Sequence, residues 1–380
     1  MPRVSVILTS FNHEKYIREA IESILHQTFT DFELIIWDDA STDNSWSIIN
    51  SYVDPRIKIF RNEESKRGIY GLNKAISEIA SGDYIAIHHS DDVWASEKLQ
   101  RQVDFLEVNL NCGAVFTNVL AVGEDSQPLK DENNYYARIF EQPNRTRHEW
   151  LNFFFYHGNA LCHPSVLIRR QCYKDCGLYR YGMAQIADFD MWLRVCLKYE
   201  IHILSEKLVY FRARANEANT SANRPETRVR VAVEIPNLLK SYLRIETFEE
   251  MIAIFPDARE FYRKDGFESL FVFAMIALGD NTPNWVKLFG IELIFSLIDD
   301  PAMAKKIESL YGFDYLSLIV LTGKQDVFSL NELAECNRKL AECSKRLDDL
   351  YESDSWVVTR PVRLMARFVR AFFKLLKDRV

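Results

Sequence analysis

Five apolar segments of seven to ten residues, separated by amphipathic stretches, govern the first third of this 380-residue chain. VSVILTS (4–10), FELIIWDD (32–39), RIKIFRN (56–62), DYIAIHHS (83–90) and GAVFTNVLAV (113–122) are Val- and Ile-rich runs suited to strands buried on both faces. Between them, EKYIREAIESILHQ (14–27) puts Ile17, Ile21, Ile24 and Leu25 on one helical face. NSWSIINSYV (44–53) follows a cap at Asp43 or Asn44, YGLNKAISEIA (70–80) is a third helix, and Ser96 caps EKLQRQVDFLEVN. Parallel neighbours need long crossovers, so this alternation predicts an α/β, doubly wound, parallel sheet with helices on both faces.

Sheets of this kind bind ligands beyond the carboxyl ends of their strands. Polar groups collect there: Thr9, Ser10 and Asn12 after strand one, Asp38 and Asp39 after strand two, and Asp91 and Asp92 after HHS at the end of strand four. Each acidic pair also suits a helix cap. A less regular segment follows: a strand at HPSVLIRR (163–170), a helix at ADFDMWLRVCLKY (187–199) and a strand with its loop at IHILSEKLVYFRAR (201–214). Residues 226–325 read as mostly helical.

The net charge of −7 argues against nucleic acid as a partner. Seven cysteines at irregular spacings form no zinc pattern and suit a reducing cytosol. The opening residues lack a signal-peptide pattern, and the longest apolar run, LFVFAMIAL (270–278), falls short of a membrane span of ~20 residues. The expectation is a soluble or peripheral protein. Leu333, Leu340 and Leu347 recur every seven residues, with Cys336, Cys343 and Leu350 at the other seam position. This predicts either a short coiled coil and a homo-oligomer, or a helix packed on its own domain. After Pro361, Arg363, Arg367, Arg370, Lys374 and Lys377 step by four, three, four and three beside Phe368, Phe372 and Phe373. Such a helix lies on an anionic membrane surface; the alternative is an ordinary docked helix.

The block VSVILTSFNHEKYIREAIESILHQTFTDFELIIWDDASTDNS, with ASGDYIAIHHSDD and ADFDMWLR after it, resembles family 2 glycosyltransferases of the GT-A fold, over about residues 3–215. The resemblance implies a Rossmann-like nucleotide-sugar-binding domain followed by a helical C-terminal region. It also implies a bacterial surface-polysaccharide enzyme of the O-antigen or capsule type. The donor is a nucleotide sugar, most simply a UDP-sugar, and the acceptor a glycan or lipid-linked oligosaccharide. Thr9, Ser10, Phe11 and Asn12 would line the base and Asp39, beside Asp38, would take a uracil N–H. Arg67, Asn73, Ser90, Asp91, Arg212 and Arg214 complete the donor set. Asp188 matches the catalytic base of an inverting transfer, and His163 and Asp190 are candidates for the acceptor side. Asp190 also suits an ion pair with Arg194 at i+4.

Two positions depart from the family pattern. The usual acid of the D-x-D element is His89, so Asp91 and His89 are the metal candidates. Imidazole suits Mn2+ better than Mg2+. His89 is a ligand, a contact to the donor without metal, or a bland replacement that leaves Asp91 alone with the ion. His88 points to the other strand face as a packed histidine. Ala187 replaces the acid that usually precedes the base. These departures also fit a catalytically impaired scaffold. A nucleotidyltransferase would need a glycine-rich loop after strand one, and TSFNHEKY has none. The expected organisation is a catalytic domain at 1–225, a helical domain at 226–326, a coiled coil at 327–352 and a membrane-surface helix at 353–380, at the cytoplasmic face of the inner membrane.

Overall fold

The computed structural model describes all residues except 130–133, 215–218, 220, 354, 355, 357, 360, 363, 364 and 367–380. The chain divides into two compact units, Met1–Asp314 and Tyr315–Val380.

The first unit is built on eight strands: β1 (Val4–Ser10), β2 (Phe32–Asp38), β3 (Ile57–Arg61), β4 (Tyr84–His89), β5 (Val93–Trp94), β6 (Cys112–Val122), β7 (Leu167–Arg169) and β8 (Glu200–Arg212). Their order is β3-β2-β1-β4-β7-β6-β8-β5. The first four strands are parallel, and register pairs Thr9 with both Trp37 and His89, and Ser10 with Asp38. The ends of β1, β2 and β4 therefore share one rim. The expected wholly parallel sheet fails at two strands: β7 runs antiparallel between β4 and β6, and β5 antiparallel beside β8. Strand β5 has two residues and carries no periodic signal, whereas β7, three residues long, lies within the run expected as a strand at 163–170. The run expected as a strand at 163–170 opens instead as a 3-10 turn, His163–Ser165.

Helices α1 (Ile17–Leu25), α2 (Ser45–Ile49), α3 (Gly68–Lys74) and α4 (Lys98–Val108) make the crossovers. The first starts at Ile17, the first residue of its apolar face, after the His13 carbonyl closes a turn on the amides of Tyr16 and Ile17. The last is capped by Glu97 rather than Ser96, whose carbonyl takes the Thr28 N–H. Strand alternation separates two apolar layers. Ile7, Ile35, Ile87 and Phe116 face one, while Val6, Leu8, Leu34 and Ile36 face the other with Ile17, Ile21, Leu99 and Val103. Each such side chain contributes about 1.5–3 kcal/mol by leaving water. Gly71 permits the closest approach: a Cβ there would lie 2.4 Å from the Trp37 ring.

Helices α5 (Tyr135–Ile139), α6 (Arg147–His157), α7 (Arg170–Cys176) and α8 (Ala187–Cys196) follow. Then α9 (Pro225–Leu239), α10 (Phe248–Ile254), α11 (Ser269–Ala277), α12 (Asn284–Ile298) and α13 (Pro301–Tyr311) extend the first apolar layer. Phe155 of α6 stands 4.9 Å from Phe255 and 5.7 Å from both Tyr242 and Phe273, ring centre to ring centre. The apolar run 270–278 is a buried core helix, α11.

The second unit contains α14 (Tyr315–Lys324) and α15 (Leu330–Glu352). No residue of α15 is buried; Leu333, Leu340, Leu347 and Leu350 are exposed, as are Cys336 and Cys343. The five cations of the expected basic stripe lie outside the described residues. Among the described residues, no helix is long and apolar enough to cross a membrane.

Candidate active site

The tip of β4 carries the densest chemistry. His89, Asp91 and Asp92 each offer a ligand atom, all within 4.8 Å of one another. Asp92 is buried; one oxygen accepts from the Arg212 N–H at 2.8 Å, and the other has no hydrogen-bond partner among the described residues. That orphaned oxygen lies 3.9 Å from His89 Nδ1. Burial, with the charge of Asp91 beside it, pushes the Asp92 carboxyl well above its usual range. A buried carboxylate oxygen without a donor is costly unless something positive meets it. The donor set of two carboxylates and one imidazole fits a divalent cation. Sequence reasoning placed Asp91 and Asp92 together on this rim but kept only His89 and Asp91 as metal candidates; the proximity of all three emerges from the fold.

Asp91 faces the rim. Its Oδ2 lies 3.8 Å from an Arg214 guanidinium nitrogen and 3.9 Å from His13 Nε2. His13 was also missed, although it follows SFN directly. Its Nδ1 is 2.7 Å from Ser90 Oγ and its Nε2 is 2.8 Å from Arg214. One imidazole thus ties together the loop after β1, the tip of β4 and the loop after β8. Burial lowers its pKa, and burial also lowers those of His89 and His163. His88 is fully buried against Trp94, as expected for the opposite face.

Several expected binding residues prove to be internal braces. Arg212 is wholly buried; it bonds the carbonyls of Asp91, Gly123 and Glu124 and the Glu19 carboxylate. It holds the acidic loop from behind. Asn73 is buried and bonds the Tyr179 backbone in both directions, at 2.8 and 3.1 Å. Asp190, placed on the acceptor side above, is enclosed between Arg194 and Arg180. His163 turns both ring nitrogens inward, to His89 and to the Tyr179 hydroxyl. In each case the polar side chain is spent on a neighbour that sequence spacing does not reveal.

The loops after β1 and β2 are likewise interlocked. Asp38 is buried, accepts from the Ser41 hydroxyl and N–H, and pairs with Arg61. Asn12 accepts from the Thr42 N–H and donates its own N–H to Ser41. Asp39 accepts four bonds, from Asn62, Ser65 and the N–H groups of Lys66 and Arg67. Four donors fill the lone-pair sites of a carboxylate. Thr9 is half-buried, the buried Ser10 hydroxyl has no partner among the described residues, and Phe11 stands exposed at the same rim.

Asp188 opens α8 and is half-buried. One oxygen accepts from Asn159 at 3.0 Å and the other from the Phe189 N–H at 2.8 Å. Burial pushes its carboxyl up to about 6. Burial first, and then the charges of Asp92 and Asp188, push the buried Cys162 thiol well above its usual range.

The sequence profile of Glycosyl transferase family 2 matches residues 5–170. An uncharacterised glycosyltransferase of Methanocaldococcus jannaschii is 30% identical over 216 residues, 56% of this chain and 71% of that protein. The chain belongs to glycosyl transferase family 2. Other relatives within the family differ in how much of their length is matched. The putative glycosyltransferase EpsE of Bacillus subtilis is 33% identical over 51% of this chain and 66% of its own. The UDP-Glc:alpha-D-GlcNAc-diphosphoundecaprenol beta-1,3-glucosyltransferase WfaP of Escherichia coli is 29% identical over 67% of this chain and 92% of its own. The crystal structure of Staphylococcus aureus TarS 1–349 in complex with UDP superposes with a TM-score of 0.52 at 18% identity, over 81% of this chain and 91% of that one. The fold of this family 2 chain is GT-A, with a helical region after it.

Proposed function

We propose that this chain moves a sugar from a UDP-sugar to a hydroxyl of a lipid-linked glycan, inverting the anomeric carbon, in the synthesis of a bacterial surface polysaccharide. One observation carries the reading: an orphaned acidic oxygen at the β4 tip, in one set with His89 and Asp91. The UDP complex of TarS supports the donor, and the printed activity of WfaP supports the acceptor class.

His89, Asp91 and Asp92 would hold a divalent cation, Mn2+ in preference to Mg2+ because one ligand is imidazole. Bound there, such an ion supplies positive charge against the donor diphosphate as the sugar–phosphate bond breaks. Arg214 adds a fixed cation at the same rim, and His13 orients it. Phe11 offers an aromatic face to the base. A uracil N–H at Asp39 would replace one of the bonds from the loop at 62–67; Arg67 meets Asp39 through its backbone N–H, so its guanidinium can turn toward the diphosphate. Asp188 takes the proton of the acceptor hydroxyl as that oxygen attacks opposite the leaving group, so configuration inverts. Asn159 and the Phe189 N–H each hold one carboxylate oxygen, which aims the remaining lone pairs.

The same reading assigns 1–225 to catalysis and 226–326 to a supporting helical domain. Residues 327–352 pair with a second copy, and 353–380 rest on the anionic inner face of the cytoplasmic membrane. The direct test is thermal shift with a panel of nucleotide sugars, with and without Mn2+. A UDP-sugar raises the melting temperature of the wild-type chain only with Mn2+, and Asp91→Ala removes that dependence. An Mn2+-dependent shift that survives in Asp91→Ala overturns the site.

A further inference from the structure

His89 has two ring nitrogens with different surroundings. Its Nδ1 is 3.9 Å from the orphaned oxygen of Asp92, beyond hydrogen-bond reach. Its Nε2 is 3.3 Å from His163 Nδ1. His163 Nε2 is in turn 2.9 Å from the Tyr179 hydroxyl, and that hydroxyl is 3.3 Å from the Tyr173 hydroxyl. Asn73 clamps the backbone of Tyr179 from both sides, so the far end of the row is fixed. All of these partners are buried or half-buried.

A proton on His89 Nδ1 would stand opposite the acids at a distance too long to bond. A lone pair there faces the place where Asp92 also lacks a partner. With the lone pair on His89 Nδ1 the row then runs one way. His89 donates from Nε2 to His163 Nδ1, His163 donates from Nε2 to Tyr179, and Tyr179 donates to Tyr173. Metal-bound histidines are oriented by the partner of their second nitrogen in this manner.

We propose that His163 and Tyr179 are positioning residues: they hold His89 as the Nε2–H tautomer and turn its Nδ1 lone pair into the cation site. This rests on the cation reading above and deepens it. An aspartate at position 89 needs no tautomer control, so the row is the counterpart of the His89 replacement. It also moves His163 from the acceptor pocket to the support of the donor side.

The test titrates Mn2+ alone into the full-length chain and follows the free ion by electron paramagnetic resonance. His163→Leu weakens Mn2+ binding by roughly 10- to 100-fold, the usual effect of losing such an outer partner. His163→Asn, whose side-chain oxygen can take the place of Nδ1, recovers part of the loss. In a His89→Asp background, His163→Leu changes affinity less than about threefold, because there is no ring left to orient. Wild-type Mn2+ affinity in His163→Leu, or an equal loss in both backgrounds, overturns the proposal. Should His163→Leu fail to fold, Tyr179→Phe carries the same comparison: a loss confined to the His89 background supports the row, and no loss or an equal loss overturns it. Asp91→Asn separates the two readings. If it binds Mn2+ in full, the cation site falls and the row with it; if it loses Mn2+ while His163→Leu does not, the row alone falls.

Discussion

Asp188 has one oxygen on Asn159 and the other on the Phe189 N–H, and burial carries its pKa from 3.8 to about 6. That value leaves it ionised at pH 7 yet basic enough to take a proton as the bond forms. Turnover therefore falls as pH drops through about 6, and a pH–kcat profile reads this limb directly. The same burial makes the ionised group costly to the fold. Below about pH 3.8 the acid is neutral in both states and costs nothing; the penalty grows between 3.8 and 6 and is complete above. Asp188→Asn thus gains on the order of 1–3 kcal/mol at pH 7 and nothing at pH 3, seen in urea unfolding at the two pH values. The family block named Asp188 as the expected base; its raised pKa comes from burial, which sequence does not display. The internal bonds of Asn73 and Arg212, and that of Asp190 to Arg180, were hidden for a related reason. Polar residues near a site read alike whether they face a ligand or a neighbouring backbone, and only the fold tells them apart.

Strands β1, β2 and β4 were readable because each is long enough to bury both faces, and their shared register delivers Ser10, Asp38 and His89 to one rim. Strand β7 was readable as part of the run 163–170 but its direction was not, and β5, with two residues, was not readable at all. Helix α3 lies on Trp37 through Gly71, where any side chain would enter the ring. Gly71→Ala lowers stability by about 1–3 kcal/mol, the range of overpacked cores, and shifts the fluorescence of Trp37. Unchanged unfolding with unchanged emission would contradict this packing. On α15 the seam leucines are exposed along a helix with no buried residue. Pairing with a second copy predicts that the full chain is a dimer or larger in light scattering at micromolar concentration, and that removal of 327–380 leaves a folded monomer. A monomeric full chain contradicts the coiled coil.

At the scale of the molecule, the helices from α9 to α13 share the apolar layer of the sheet, with Tyr242, Phe255 and Phe273 against Phe155. Their helical character was legible from composition; their joining of the catalytic core was not, because ring-on-ring contacts between distant segments leave no local pattern. The central claim is a division of labour within the first unit. In the proposed reading the β4 tip binds the donor, and Asp188 moves the proton. One comparison tests it most directly: donor affinity by calorimetry and steady-state turnover on the same Asp188→Asn protein, with Mn2+ and the UDP-sugar found by screening. The account predicts donor affinity within about twofold of wild type and kcat lower by roughly 10²-fold or more. Near-normal kcat in that variant, or loss of donor binding in step with kcat, would contradict it.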